Sequence, residues 1–559
     1  MNQHAREPRT WLLPIVIAVQ SILLSLPAAI YLLRFLELPN LLSLLLTFGF
    51  FATLFTLMRS LALQLLVGIP VLALNMIEIV HIAAFGGLVS LGGLEAILYV
   101  NPAEAREFAG DHAGLIALAL GVFATFIALA WVRSRCPAIA AHTKIKIAAG
   151  AVGLPVALLA ADLAFYGSAR NVYLPTRVAE HFVTFLGVNP LTHTISGLAE
   201  TLATRREMAA LRAQREGFVF DASLRAGAPA RATYIVVVGE SSRRANWQIY
   251  GYPRPTNPRL SGMENLYAFT DALSPATTTS RSLPLSFSPA APGDLASFYR
   301  TKSFITAFRE AGFKTFFVSN QGSGTAAVGS ELELIMAEAD EVRSTNFGYW
   351  NSVLDEATLP QIDDILADSA PRKLIVVHTL GSHTNYGQRY PKGWDGGLAA
   401  VPVDAVPHAV ALDADQLKTI DDYDHTVAYT DWLLGEIIER HRRTGTDGAV
   451  VYFSDHGQRL YDDSGYQKGH GFGSFKPQDA EIPFLAWLPE PFLHRAPDVA
   501  AALAQNVGKP VSTGTLCASL LDLAGIETSH VDPADSVFSP RFRPRERKIL
   551  LTSDVIVSR

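Results

Sequence analysis

Five apolar stretches occupy the first 166 residues, at about 11–34, 39–58, 61–82, 113–132 and 145–166. Each approaches the roughly 20 residues that an α-helix needs to cross the hydrocarbon core of a bilayer. A cleaved signal peptide accounts for the first stretch but not for the other four. Lys and Arg accumulate in cytoplasmic loops, and here Arg6 and Arg9, Arg59, and the group Arg133, Arg135, Lys144 and Lys146 fall in the N-terminus and alternate loops. The pattern predicts a five-span domain over residues 1–166, with all that follows on the extracytoplasmic face. Arg34 then lies on the opposite side and has to snorkel to the interface. Asn75 and Glu78 lie near the outer end of the third span, where an ionisable group marks a cavity or is hydrated at the interface. Residues 91–108 are amphipathic and too polar to span, so they form a surface-lying segment or a plain connecting helix.

The remaining chain is far too long for a linker, and its patterning changes. Residues 167–225 mix aromatic, basic and helix-forming positions and read as a bridge of interfacial helices, ending at the small, Pro-terminated run Asp221–Pro229. From 226 to 559 apolar, β-branched runs alternate with helical patterns. Tyr234–Val238, Thr315–Ser319, Lys373–His378, Gly448–Ser454 and Ile482–Trp487 are the runs, and 412–440 is the longest helix. Such alternation implies a largely parallel sheet with helices on both faces. A net charge of −6 and the absence of any zinc-finger, helix-turn-helix or RNP pattern exclude a nucleic-acid partner. The two cysteines, Cys136 and Cys517, fall in different regions, so no disulfide framework is expected.

In open α/β sheets, ligands bind beyond the carboxyl ends of the strands. Glu240 follows the run Tyr234–Val238 there, Asp455 and His456 follow Gly448–Ser454, and His378 and His383 bracket the end of Lys373–His378. His470 sits on the glycine-rich loop QKGHGFG. A single histidine more often completes a core hydrogen bond, but convergence of these groups at one sheet edge gives a carboxylate and imidazole set suited to zinc, with manganese second. The run SPATTTSRSLPLSFS, residues 274–288, packs hydroxyls ahead of Pro284, a residue tolerated in the first turn of a helix. A hydroxyl at that helix N-terminus would meet an incoming phosphate among backbone N–H groups; alternatively the run is a Ser/Thr-rich capped loop.

With these residues in place, the chain resembles the phosphoethanolamine transferases of Gram-negative inner membranes, within the alkaline phosphatase and sulfatase superfamily. The motifs are VVGES around Glu240, YGYPRPTNP after it, TTTSRSLP, HTLGSH, FSDHG and KGHG. The resemblance implies a five-helix membrane domain followed by an α/β alkaline-phosphatase-like catalytic domain. It implies Thr279 as nucleophile, a metal set of Glu240, Thr279, Asp455 and His456, and phosphate-contacting His383 and His470. One tightly bound zinc is implied, and any second zinc belongs beside His383 and His470. The donor would be phosphatidylethanolamine and the acceptor a lipopolysaccharide core, lipid A or other envelope glycan, with the enzyme multi-pass in the inner membrane and its catalytic domain in the periplasm.

This chain also departs from the pattern. Pro275 and Leu285 stand where polymyxin-resistance members carry paired cysteines, and in the lipid-contacting segment Glu104 is kept while Ala96 and Val100 replace an Asn and a Thr. These changes, with YGYPRPTNP, point to a core sugar or its phosphate as acceptor rather than lipid A. Two rivals share the fold. A sulfatase maturation signal aligned on Ser282 and Pro284 finds Ser286 where Arg is required, and YGYPRPTNP argues against a phosphoglycerol transferase of the lipoteichoic acid type. A catalytically inactive membrane scaffold conflicts with the retention of every ligand position.

Overall fold

The computed structural model describes residues 12–34, 38–85, 113–151, 214–321, 331–345, 353–465 and 467–559, with a few isolated positions between them. The chain divides into two compact units, Met1–Leu94 with Ala109–Leu202, and Glu95–Phe108 with Ala203–Arg559.

In the first unit, α1 (Leu12–Arg34), α2 (Leu38–Leu57), α3 (Leu61–Phe85) and α4 (Ala113–Arg135) are long and apolar enough to cross a membrane. They coincide with the first four predicted spans. The fifth predicted span begins in a helix over 141–151, and most of it lies outside the described residues. Polar groups buried among such apolar helices are stabilised by internal pairing. Accordingly Gln20 Nε2 donates to Gln64 Oε1 at 3.0 Å, Asn75 Nδ2 to the Leu24 carbonyl at 2.8 Å, and Arg133 Nε and Nη2 to the carbonyls of Phe55 and Thr56. Glu78 is fully buried, accepting from the Val89 amide at 3.0 Å and the Thr194 hydroxyl at 2.6 Å. Asn75 is thus a structural tie, and Glu78 is bonded within protein rather than hydrated. The amphipathic segment 91–108 lies mostly outside the described residues, and Glu104, Ala96 and Val100 with it.

The second unit is built on a seven-stranded sheet. Its strands are β1 (Ala232–Gly239), β2 (Leu266–Ala268), β3 (Lys314–Ser319), β4 (Glu341–Ser344), β5 (Arg372–His378), β6 (Asp447–Ser454) and β7 (Phe484–Trp487). Their spatial order is β2-β7-β6-β1-β5-β3-β4, with β6, β1, β5, β3 and β4 parallel and β7 antiparallel to both neighbours. Every residue of β1 is buried, which explains its unbroken apolar run: a strand covered on both faces shows no alternation. Tyr234, Val236 and Val238 enter one core with Leu283, Leu285 and Phe287, while Ile235 and Val237 enter the other with Tyr423, Val427 and Ile437. Burying each such aliphatic side chain stabilises the fold by about 1.5–3 kcal/mol.

Two helices frame the site. The first, α5 (Thr279–Phe287), packs on the Val236 face. Pro284 lies in its interior, so the helix starts well ahead of the position expected from a first-turn proline. The second, α6 (Ala414–Thr444), opens with a capping box between Asp413 and Gln416 and closes at Gly445, whose φ of 61° suits a left-handed C-cap. The short edge strands β2 and β4 escaped the sequence reading because three or four residues carry no usable periodicity.

Candidate active site

Register places the central groups. Gly239 of β1 pairs with Ser454 of β6, so Glu240 and Asp455 leave adjacent strands side by side and, by the two-residue period, on the same face. Ser241 then takes a φ of 55°, sparsely populated for a residue with a side chain. This turn lets its amide donate to Asp455 Oδ1 at 3.0 Å and its hydroxyl to Glu240 Oε1 at 2.8 Å.

Glu240, Asp455 and His456 are buried and offer ligand atoms within 4.8 Å of one another. His456 Nδ1 lies 2.8 Å from the Gly457 carbonyl, so Nε2 faces the carboxylates, 3.3 Å from Glu240 Oε1 and 3.3 Å from Asp455 Oδ2. Thr279 is the first residue of α5. Its Oγ1 lies 2.6 Å from Asp455 Oδ2, 3.2 Å from Glu240 Oε2 and 3.3 Å from His456 Nε2. The four residues assigned by the resemblance therefore converge on one point. Among the neighbouring hydroxyls, Thr277 is buried and Ser280 is exposed, whereas Thr279 is partly open at the edge of the cluster.

Electrostatics make this an unbalanced set. Burial pushes Asp455 up to about 7, reinforced by the neighbouring Glu240 charge. Burial opposes charge on Glu240 and His456 too, but attraction prevails: His456 holds Glu240 well below the usual carboxylate range, and the Asp455 and Glu240 charges raise His456. Two interior carboxylates thus have one imidazole as counter-charge. An oxygen and nitrogen donor set short of the positive charge needed to ionise both carboxylates fits a divalent cation such as zinc.

The two remaining histidines approach from separate loops. His470 lies between Gly469 and Gly471, both at positive φ, with Nδ1 3.0 Å from Gln458 Oε1 and its ring centroid 4.0 Å from that of His456. Burial and the charge on His456 hold it well below its ordinary pKa. His383, partly exposed, follows β5 on the loop whose Ser382 amide donates to the Glu240 carbonyl at 2.9 Å. His378 is different: it is buried, both ring nitrogens are unpartnered, and burial lowers its pKa to about 4. Glu104 lies outside the described residues.

Several supporting residues carried little sequence signal. Gln321 Nε2 reaches Glu240 Oε2 at 3.4 Å and the Thr379 carbonyl at 2.8 Å. Asp355 fixes the HTLGSH turn by accepting from the amides of Leu380 at 2.8 Å and Gly381 at 2.9 Å. Gly381 has a φ of 47°, and a Cβ there would stand 2.8 Å from the Glu240 amide nitrogen, so the motif's glycine permits the close approach of two loops. The Asp455 carbonyl accepts from both the Ser274 and Ser282 hydroxyls at 2.5 Å, pinning α5 beside β6.

These features define an α/β domain whose parallel-sheet edge gathers a metal-suited donor set around a helix-terminal hydroxyl. The chain belongs to the sulfatase family, whose pattern matches residues 232–526, more than half of its length. It is 32% identical over 330 residues to phosphoethanolamine transferase EptC of Escherichia coli O18:K1:H7 (strain RS218 / NMEC), covering 57% of this chain and 55% of that protein. The chain thus spans about half the length of the curated relatives it matches. The C-terminal periplasmic domain of EcEptC from Escherichia coli, crystallised in complex with Zn, superposes with a TM-score of 0.55 at 28% identity, covering 61% of this chain and 95% of that one. The integral membrane lipooligosaccharide phosphoethanolamine transferase A (EptA) from Neisseria meningitidis covers 94% of this chain and 98% of its own, with a TM-score of 0.69. At 18% identity that likeness is one of fold, and it extends over the helical and α/β parts together.

Proposed function

We propose that this chain is a zinc-dependent phosphoethanolamine transferase of the inner membrane, with residues 1–166 spanning the bilayer, 167–225 bridging, and 226–559 forming a periplasmic catalytic domain. The observation that carries the reading is the hydroxyl of Thr279, 2.6 Å from Asp455 Oδ2 at the head of α5. Glu240, Asp455, His456 and Thr279 would hold the metal. A zinc ion in such a site lowers the pKa of a bound hydroxyl and neutralises charge on a phosphoryl group.

The residues then divide the work of a two-step exchange. Asp455 holds the proton of the Thr279 hydroxyl as Oγ1 attacks the phosphorus of phosphatidylethanolamine. The Oγ1–P bond forms, the P–O bond to diacylglycerol breaks, and the departing alkoxide takes a proton. His470 and His383 face the phosphoryl oxygens and serve proton transfer to and from the leaving and entering oxygens. In the second step an acceptor hydroxyl or phosphate oxygen attacks the phosphorus, and Thr279 is released with its proton restored.

The acceptor we propose is a lipopolysaccharide core sugar or its phosphate, with Glu104 pairing with the donor's ammonium. Mass spectrometry of envelope glycolipids from cells with and without the protein tests this. A gain of one phosphoethanolamine on a core fragment is expected, and a gain confined to lipid A contradicts the acceptor assignment. For topology, cysteines introduced at Ala140 and Ala230 and probed with an impermeant thiol reagent should label at 230 alone in cells with a permeabilised outer membrane. Labelling at 140 alone would invert the arrangement.

A further inference from the structure

The C-terminal segment 548–554 lies beyond the family-matched residues 232–526, and it touches both loops that carry the reacting groups. On one side it pairs with the nucleophile loop: the Leu550 amide donates to the Pro275 carbonyl at 2.8 Å, and the Thr277 amide to the Leu550 carbonyl at 3.3 Å. Arg281, in the first turns of α5, donates from Nη1 to the Leu551 carbonyl at 2.9 Å and also pairs with Asp554. On the other side the Thr552 hydroxyl donates to the Gly471 carbonyl at 3.0 Å and approaches the Phe472 carbonyl at 3.4 Å. Gly471 is the residue after His470, and a Cβ on it would stand 3.2 Å from Thr278 Cγ2 and 3.5 Å from Thr552 Cγ2. A side chain at Gly471 would press on Thr278, so the glycine lets the three segments meet.

The tail is itself firmly seated. Lys548–Leu550 pairs with Ile556–Ser558 as a hairpin, and Ile549, Leu550 and Leu551 are buried, Ile549 and Leu551 against Leu273 and Ala480. Thr552 is buried as well, so its hydroxyl bonds form away from competing water. No atom of it needs to reach the substrate.

From this geometry we infer that residues 548–554 clamp the Thr279 loop to the His470 loop, and that Thr552 is a positioning residue for the transfer reaction. The catalytic half of this inference rests on the proposed function; the clamp itself does not. Misplacing one reacting group by a fraction of an ångström to an ångström costs rate rather than ground-state affinity. Loosening the clamp should therefore lower kcat and spare KM.

The experiment uses the full chain in detergent, with Thr552→Val, which keeps the branched shape and removes the donor, and Thr552→Ser, which keeps the donor. Hydrogen exchange is followed in peptides covering 468–474 and 232–239, and turnover with acyl-labelled phosphatidylethanolamine. In Thr552→Val, exchange should rise at 468–474 and stay unchanged at 232–239, and kcat should fall roughly tenfold with KM little changed. Thr552→Ser should restore both. The inference is overturned if Thr552→Val exchanges and turns over like wild type, if exchange rises equally in both regions, or if Thr552→Ser is as impaired as Thr552→Val. A wild-type chain that shows the exchange contrast but transfers nothing would uphold the clamp and overturn the proposed activity.

Discussion

Among the buried carboxylates of the second unit, Asp424 and the pair Glu240 and Asp455 are completed differently. Asp424, on α6, is fully enclosed. Its Oδ2 accepts from Arg254 Nη1 at 2.6 Å and the Tyr252 hydroxyl at 2.8 Å, and its Oδ1 from Asn246 Nδ2 at 2.6 Å. Arg254 is also held by Asp421 at 2.6 Å and the Val401 carbonyl at 2.9 Å. Glu240 and Asp455 are just as buried, but they share one imidazole and surround a partly open hydroxyl. Asp424 pairs with the buried guanidinium of Arg254, whose second carboxylate is the part-exposed Asp421, whereas Glu240 and Asp455 have no Arg or Lys partner among the described residues. Burial alone therefore does not separate structural from functional acids; the balance of counter-charge does. The comparison also gives YGYPRPTNP a physical role. Tyr252 and Arg254 anchor the loop after β1 to α6, and Arg243, bonded to Asn246 Oδ1 and to Asp462, extends that anchor toward the Gln458 that meets His470.

Substitutions in the two groups should accordingly fail in different ways. Asp455→Ala, Glu240→Ala and His456→Ala should each lose the bound metal and reduce turnover by roughly four orders of magnitude. Elemental analysis of the purified chain checks this, and full zinc occupancy in Asp455→Ala would erase the distinction between the groups. Next in size, His383→Ala and His470→Ala should retain the metal and slow kcat by roughly 10²–10⁴-fold, the range for a lost proton-transfer group. Steady-state kinetics paired with metal content decides it.

Asp424→Ala should do the reverse. It removes one of the three partners of buried Arg254 and leaves the Asn246 and Tyr252 donors without their acceptor, which together destabilises by about 3–5 kcal/mol, while metal content stays at the wild-type level. Denaturant unfolding with metal analysis on the same sample measures both. The smallest effect concerns Asp431, another buried acid, which accepts backbone amides from Arg259 at 3.0 Å and Leu260 at 2.9 Å. Burial raises it to about 6. Because the folded state holds this proton more tightly than the unfolded chain, the penalty for its charge is present above pH 6 and is relieved as pH falls toward 4. The stability of wild type relative to Asp431→Asn should therefore increase over that window. A flat difference would show that the two amide donors already balance the charge.

Much of this was legible in the chain. The buried strands β1, β3, β5 and β6 appear as continuous β-branched runs, and the residue after each central run marked the sheet edge where Glu240 and Asp455 emerge. What periodicity could not show was the start of α5. Pro284 suggested a first turn, whereas the helix begins at Thr279 because packing of Leu283, Leu285 and Phe287 on the sheet holds it through the proline. Asp355, Gln321 and Thr552 were invisible for another reason. Each acts through a long-range contact with a loop remote in sequence, and a lone acid, amide or hydroxyl carries no spacing that reveals its partner. His378 shows the opposite failure, since it shares a motif with His383 yet points into the core beside Phe317.

The measurement that bears most directly on the central claim is the intact mass of the full chain after incubation with phosphatidylethanolamine in the absence of an acceptor. Wild type should gain one phosphoethanolamine, peptide mapping should place it on Thr279, and Thr279→Ala should gain nothing while keeping its fold. An adduct of the same mass persisting in Thr279→Ala would contradict that claim and assign the nucleophile elsewhere.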